Sequence, residues 1–287
     1  MKRLVLCLMS VLLLAAATAH AAEKAKRKAV PGPKPSFDQP MQVVIVRSSE
    51  KGCEPTCPEW IMAEGMITAE TLKAFQQTLV QARLRTGGAA LPVILHSTGG
   101  NILAALQIGY FLRAQSVDVA VSQTAYAGGC GPFGITCSAP GEGGVYRGRL
   151  VTRNAHCLSA CPLILASGTR RLASGDTVVG VHHWGYEVPP GKDKKPRFTA
   201  KKKDTPWDGV VRKMMSDYLT SMGISLDVVS DMNKTPFTAM KLYNSKRRKA
   251  LKLVSEAGSA DSVAAIKLCK QETPATSCVR AKSAKQP

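Results

Sequence analysis

Ser159 sits midway between Cys157 and Cys161 in the stretch AHCLSACPLILASG (155–168), just before an apolar run that reads as a buried helix. A serine on a strand-to-helix turn exposes its hydroxyl, and the next backbone N–H, that of Ala160, points into the same space. Serine also caps helices with no chemistry attached, so its position becomes informative only with partners. DTVVGVHHW (176–184) supplies two, His182 and His183 at the end of a strand-like run. A neutral imidazole there can take the proton of a serine hydroxyl. STGG (97–100) joins another strand to a helix. Gly99 and Gly100 let backbone N–H groups come close to a ligand, and the helix start adds positive dipole. The three stretches together offer a nucleophile, a base and oxyanion donors, the parts of an acyl-transfer site. Neighbouring side chains of a strand point to opposite faces, so only one histidine can face Ser159.

The elements that must position these groups alternate between strands and helices. MQVVIVRS (41–48) has the β-branched density of a strand, and Trp60–Ile67 reads as a second. Thr68 can cap a helix in which Leu72, Phe75, Leu79 and Val80 recur at helical spacing, ended by Gly87 and Gly88. LPVILH is a short buried strand. Asn101–Arg113 is a helix with Ile102, Leu106 and Phe111 inward, and VDVAV (117–121) is a strand. Thr124–Arg149 is a long glycine-rich loop, of the kind that is functional or pinned in compact domains. Pro162 suits a first helical turn. Two helices follow at 210–222 and 226–233. This alternation argues for an α/β domain over residues 41–257, about 220 residues and long enough for a full core.

Composition places the protein. Residues 1–21 run from Lys2 and Arg3 through an apolar stretch to Ala19-His20-Ala21, the layout of a cleaved secretory signal, with cleavage near Ala21 or Ala22. The reading is therefore of a periplasmic or secreted protein with no membrane span. Residues 22–40 form a basic, proline-rich arm, and residues 258–287 a tail carrying Cys269 and Cys278. The formal charge of +19 falls to +17 without Lys2 and Arg3. The basic residues lie in tails and loops with few aromatics, so an anionic envelope surface is the expected partner, not nucleic acid. The runs Lys192–Lys203 and Lys241–Lys252 read as exposed, because like charges at that density repel. Beyond Cys7, eight cysteines remain: 53, 57, 130, 137, 157, 161, 269 and 278. An even number in an exported chain argues for disulfides, although spacing alone does not fix which sulfurs join. The spacings match zinc clusters poorly, so no metal is expected.

From about Trp60 to Val254 the order of motifs WIMAEGMITAETLKAFQQTL, ILHSTGGNILAALQIGYFL, SACPLILASGTRRL and TVVGVHH resembles the ClpP/crotonase superfamily. The resemblance is to the Clp protease proteolytic subunit and, more closely, to exported bacterial ClpP-like proteins. It implies a single α/β domain of stacked ββα units. It also implies Ser159 as nucleophile, His182 and not His183 as base, and Gly99 or Gly100 with the Ala160 N–H as oxyanion hole. GISLDVVSDM matches the segment of the family's catalytic aspartate, which points to Asp231, with Asp227 as the alternative. No cofactor is implied. The lysine-rich excursion 189–205 lies where the proteolytic subunit carries its ring-building handle and does not look like it. An exported chain also meets no ATP, so no ATPase partner is expected. A crotonase-type acyl-CoA chemistry does not fit a Ser–His pair. The function expected is an ATP-independent serine hydrolase acting on peptides or unfolded protein segments, with a homo-oligomer left open. The alternative is a ClpP-like binding or scaffold protein without turnover.

Overall fold

The computed structural model describes residues 39–54, 56–129, 131–133, 144–188, 197–199 and 206–264. The segment read as a signal, the arm up to residue 38, most of the lysine-rich excursion, and Cys130, Cys137, Cys269 and Cys278 lie outside the described residues.

The first half of the domain lays down β1 (Gln42–Ser48), β2 (Glu59–Glu64), α1 (Thr71–Thr86), β3 (Val93–His96), α2 (Ile102–Ala114) and β4 (Val119–Val121). With β5 (Gln123–Tyr126), β6 (Tyr146–Val151) and β8 (Arg171–Leu172), these strands form a seven-stranded sheet in the order β5-β6-β1-β2-β3-β4-β8. The run β2-β3-β4-β8 is parallel. Strands of a parallel sheet are covered on both faces and so read as unbroken apolar runs, which is why all four residues of β3 are buried. Alternation then divides them. Ile61, Ala63, Val93, Leu95, Val119 and Val121 join the main core with the helices. Val46, Trp60, Met62, Ile94, Ala120 and Leu172 form a second cluster on the other face. Ala260, Val263 and Ala264, from α7 (Asp261–Ala264) and the residue before it, join that second cluster. The segment expected as tail thus begins as part of the packed structure, because the outer apolar face of β3 and β4 needs a cover.

A second sheet of three strands, β12 (Lys241–Leu242), β9 (Val178–Val181) and β7 (His156–Leu158), meets the first at the end of β3. The Ser97 N–H donates to the His156 carbonyl at 2.8 Å, and the Leu158 N–H donates to the Ser97 carbonyl at 3.0 Å. This junction brings the STGG turn against the strand that leads to Ser159. α3 (Cys161–Ala166) follows β7, and α4 (Pro206–Ser221), α5 (Asp227–Lys234) and α6 (Ser245–Ala250) complete the layer beside it. The architecture is mixed α/β, as the alternation of elements predicts.

Several expectations are corrected in detail. The long loop expected over 124–149 is strand at both ends, since β5 and β6 pair antiparallel with Thr124 opposite Leu150. Part of the lysine-rich excursion is strand too, because β10 (Tyr186–Val188) pairs antiparallel with β11 (Arg197–Thr199). Val80 is 60% exposed, because one residue beyond buried Leu79 is a 100° turn around the helix. The basic run Lys241–Lys252 is not a uniformly solvated face. Arg248 is buried, and its guanidinium donates to the carbonyls of Tyr243, Ser174 and Thr177 at 2.8, 2.7 and 2.6 Å. Those neutral acceptors tie α6 to the turn before β9, and burial pushes the guanidinium pKa below its ordinary value.

Candidate active site

The turn between β7 and α3 holds Ser159 at φ 60°. A left-handed backbone costs a non-glycine residue about 1–2 kcal/mol, so the surroundings must hold it there. Before the serine, hydrogen bonds do so: Leu158 N–H to the Ser97 carbonyl at 3.0 Å and Ser159 N–H to the Gly180 carbonyl at 2.9 Å. After it, Cys161, the first residue of α3, is joined by a disulfide to Cys157 in β7. Below the turn, Tyr218 of α4 donates its hydroxyl to the Leu163 carbonyl at 2.6 Å. The Arg113 guanidinium of α2 donates to the carbonyls of Ala166 and Ser167 at the far end of α3, at 3.1 and 2.8 Å, a cationic cap of the kind favoured at helix C-termini.

Gly99 has its φ at 101°, and a Cβ there would lie 2.5 Å from Ser159 Cβ and 2.9 Å from Ala160 N. The STGG turn and the serine turn therefore touch backbone to backbone, and only a residue without a side chain permits it. Gly100 is pressed as closely on the other side, since a Cβ would lie 2.2 Å from the Ile67 carbonyl oxygen. The roles of the two glycines separate here. The Gly99 N–H is engaged by Ser97 Oγ at 3.1 Å, which withdraws it as an oxyanion donor. Ser97, which the sequence reading passed over, also donates that hydroxyl to the Gly65 carbonyl at 2.6 Å. Among the described residues neither the Gly100 nor the Ala160 N–H has an acceptor. They are the two N–H groups near Ser159 left without an acceptor; Gly100 lines the cavity, and Ala160 is buried directly after the serine.

Ser159, His182, Gly99 and Gly100 line one cavity of about 330 Å³. His183 is not part of its wall. Its N–H donates to the Thr235 carbonyl at 2.8 Å, and its ring packs on Trp184 with centroids 4.2 Å apart. No hydrogen bond joins Ser159 to His182, and His182 Nδ1 is buried without a partner among the described residues. The ring packs near-perpendicular to Phe237, with centroids 5.0 Å apart. Burial pushes the His182 pKa below the ordinary histidine value, offset in part by the adjacent His183 backbone. Burial thus favours the neutral imidazole, the form a base requires.

Asp231 does not fill the third position. Its Oδ1 accepts from Lys241 Nζ at 2.8 Å, and its Oδ2 accepts from the Tyr243 hydroxyl and from Arg247, each at 3.1 Å. Burial alone would raise its pKa, and these donors outweigh burial to hold it below the ordinary value. Asp227 lies on the exposed side of α5 beside Arg247. No carboxylate among the described residues bonds His182.

Most of the apolar cavity wall went unread as a site in the sequence. Met66, Ile102, Leu103, Trp207 and Phe237 come from separate segments of the chain, and nothing in their local spacing marks a common site. Asp208 is a buried carboxylate in the wall whose Oδ1 accepts from Trp184 Nε1 at 2.8 Å. No group of metal-ligating side chains is found among the described residues. Cys53–Cys57 and Cys157–Cys161 are disulfides, compatible with an extracellular protein, and no helix among the described residues is long and apolar enough to cross a membrane.

No protein-family model matches the sequence, and no match is found among curated proteins. Among solved structures, the chain is similar to the catalytic domain of the ClpP protease from Plasmodium falciparum. Identity is 14% and the TM-score is 0.41, covering 68% of this chain and 82% of that one. It is also similar to a mutant of ClpP1 from Listeria monocytogenes, with 13% identity and a TM-score of 0.40, covering 69% of this chain and 90% of that one. Both likenesses concern the course of the chain; the chemistry of the site rests on its own geometry.

Proposed function

We propose that the protein is an ATP-independent serine hydrolase of the cell envelope, acting on peptides or unfolded protein segments through an acyl-enzyme. The observation that carries the reading is Ser159 at positive φ, lining one cavity with His182 beside the unengaged N–H groups of Gly100 and Ala160. In the first step Ser159 Oγ bonds to the acyl carbon while His182 takes the hydroxyl proton. The oxyanion is met by the Gly100 and Ala160 N–H groups. Collapse breaks the acyl bond, and His182 returns its proton to the leaving group. Water then repeats the sequence and frees the serine. His182 works here as one half of a dyad, with ring packing in place of an acid. The apolar walls favour substrates that present an apolar side chain to the cavity.

The two disulfides and the leader-like first 21 residues support export. On this reading the mature chain is a basic arm, one α/β domain and a cysteine-bearing tail, attracted to anionic envelope surfaces. A second reading, a binding protein without turnover, is favoured by the missing Ser159–His182 hydrogen bond and by the commitment of Asp231 elsewhere.

Covalent labelling by a fluorophosphonate separates the two. Ser159→Ala should abolish labelling with the fold intact, His182→Ala should nearly do so, and His183→Ala should retain most of it. A folded, oxidised wild type that does not label refutes the hydrolase reading and leaves the binding one.

A further inference from the structure

The Cys157–Cys161 disulfide spans three residues, and Ser159 is the middle one. The two sides of the serine are held differently. The strand side is fixed by the hydrogen bonds from Leu158 and Ser159 to Ser97 and Gly180. On the helix side the Ala160 N–H has no acceptor among the described residues, and the first backbone bond is Leu163 N–H to the Ala160 carbonyl at 3.1 Å, within the helix itself. The disulfide, with Cα atoms 5.1 Å apart, is therefore the direct tie that fixes the start of α3 relative to the strand across the serine. Together with the strand-side hydrogen bonds it constrains the left-handed turn of Ser159 and the position of the Ala160 N–H. The other described disulfide, Cys53–Cys57, lies between β1 and β2 and contributes nothing to the cavity wall.

We infer that Cys157 and Cys161 are positioning residues for the nucleophile, so that the serine reacts only when this pair is oxidised. The inference rests on the hydrolase reading of Ser159. Reduction by a dithiol transfers two electrons and two protons to the pair. The S–S bond breaks, two thiols form, and the dithiol leaves as its own disulfide. The helix start is then joined to the strand through the strained turn alone, which can relax while Tyr218 and Arg113 still hold the body of α3. Apart from Ser159 itself, the cavity walls belong to other segments and keep their shape. Loss of the tie thus acts on reaction at the serine and spares binding in the cavity. Both sulfurs belong to fully buried residues, so reduction in the folded domain is slow and needs a concentrated dithiol. The chain would be silent wherever it is made in a reducing compartment and active once its thiols are oxidised.

The test is the kinetics of fluorophosphonate labelling, read as the maximal rate (kinact) and the half-saturating concentration (KI). Cys157→Ala/Cys161→Ala should lower kinact at least tenfold with KI within threefold of wild type. Cys53→Ala/Cys57→Ala should change neither, whatever it costs in Tm. Should the first variant fail to fold, oxidised Cys53→Ala/Cys57→Ala protein is titrated with dithiothreitol under native conditions. Labelling should then fall in step with alkylation of Cys157 and Cys161, mapped by mass spectrometry, while near-UV circular dichroism persists, and should return on reoxidation. A kinact within twofold of wild type in the folded double variant overturns the inference and leaves the hydrolase reading standing. So does labelling lost only as the fold is lost. An oxidised wild type that does not label overturns both.

Discussion

Gly99→Ala isolates the contact on which the site depends. The added Cβ would stand 2.5 Å from Ser159 Cβ, 2.7 Å from the Leu158 carbonyl oxygen and 2.9 Å from Ala160 N. Carbon atoms rest at roughly 3.5–4.0 Å, so the first overlap is about 1 Å. All three obstacles are backbone or Cβ atoms and cannot rotate away. Two costs combine. Alanine at a φ of 101° is strained by about 1–2 kcal/mol, and forcing a methyl into a filled space costs about 1–3 kcal/mol. The expected loss is therefore about 2–5 kcal/mol, within the roughly 5–15 kcal/mol of a typical domain. At about 2–4 °C per kcal/mol for this size, Tm should fall on the order of 10 °C with the protein still folded.

The larger effect should be on reactivity. The overlap is relieved most easily by moving the Ser159 turn, and a misplacement of about 1 Å costs about 100-fold in rate. Asn244→Ala is the matched control. Asn244 caps α6 by accepting the Arg247 N–H at 2.8 Å, away from the cavity. Its loss should cost about 1 kcal/mol with no change in labelling. Thermal melts and fluorophosphonate labelling of the two variants decide the matter. Gly99→Ala protein that labels at the wild-type rate, with a Tm no lower than that of Asn244→Ala, would refute the close approach of the two turns.

The remaining expectations concern charge. Burial holds the His182 pKa below the ordinary 6.5, so the acid limb of a labelling–pH profile should lie below pH 6.5; a limb at about 7 or above would point to an acid partner for the imidazole. Asp231→Asn should leave labelling unchanged and lower stability by about 1.5–3 kcal/mol at neutral pH, the worth of hydrogen bonds to a charged group. Because the folded pKa of Asp231 lies below 3.8, that contribution is full above about pH 4 and is lost as pH falls through the folded value. The melting curves of the wild type and the Asp231→Asn variant should converge in acid, and a constant gap down to strongly acidic pH would contradict the pairing. Arg248→Ala should cost about 3 kcal/mol or more by chemical denaturation, since several buried acceptors lose their donor, whereas exposed Lys249→Ala should stay within about 0.5 kcal/mol.

The half of the site around the nucleophile was legible because it makes demands on backbone. A left-handed serine turn, two glycines in van der Waals contact with neighbouring chain, and a proline in the first turn of α3 each restrict residue type, and so leave traces in STGG and HCLSACP. The same holds for the frame: β3 is unbroken apolar residues because it is covered on both faces, and α1 ends at Gly87 because its cap is left-handed. The acid half makes no such demand. Whether Asp231 serves His182 or a cation is decided by side-chain direction, and one residue of slip along α5 turns a side chain by 100°. Lys241 and Arg247, ten and sixteen residues farther on, reach that carboxylate, and no pattern within GISLDVVSDM encodes them. Arg248 shows the same limit: in a run of cations its neighbours are more exposed and it turns inward onto carbonyls that any residue could supply. Constraints on φ and on N–H groups are written in residue types, whereas the choice of ionic partner is made by the packed fold. A serine turn held by glycine is therefore predictable from the chain, whereas the partner of each cysteine and the imidazole's missing carboxylate are not.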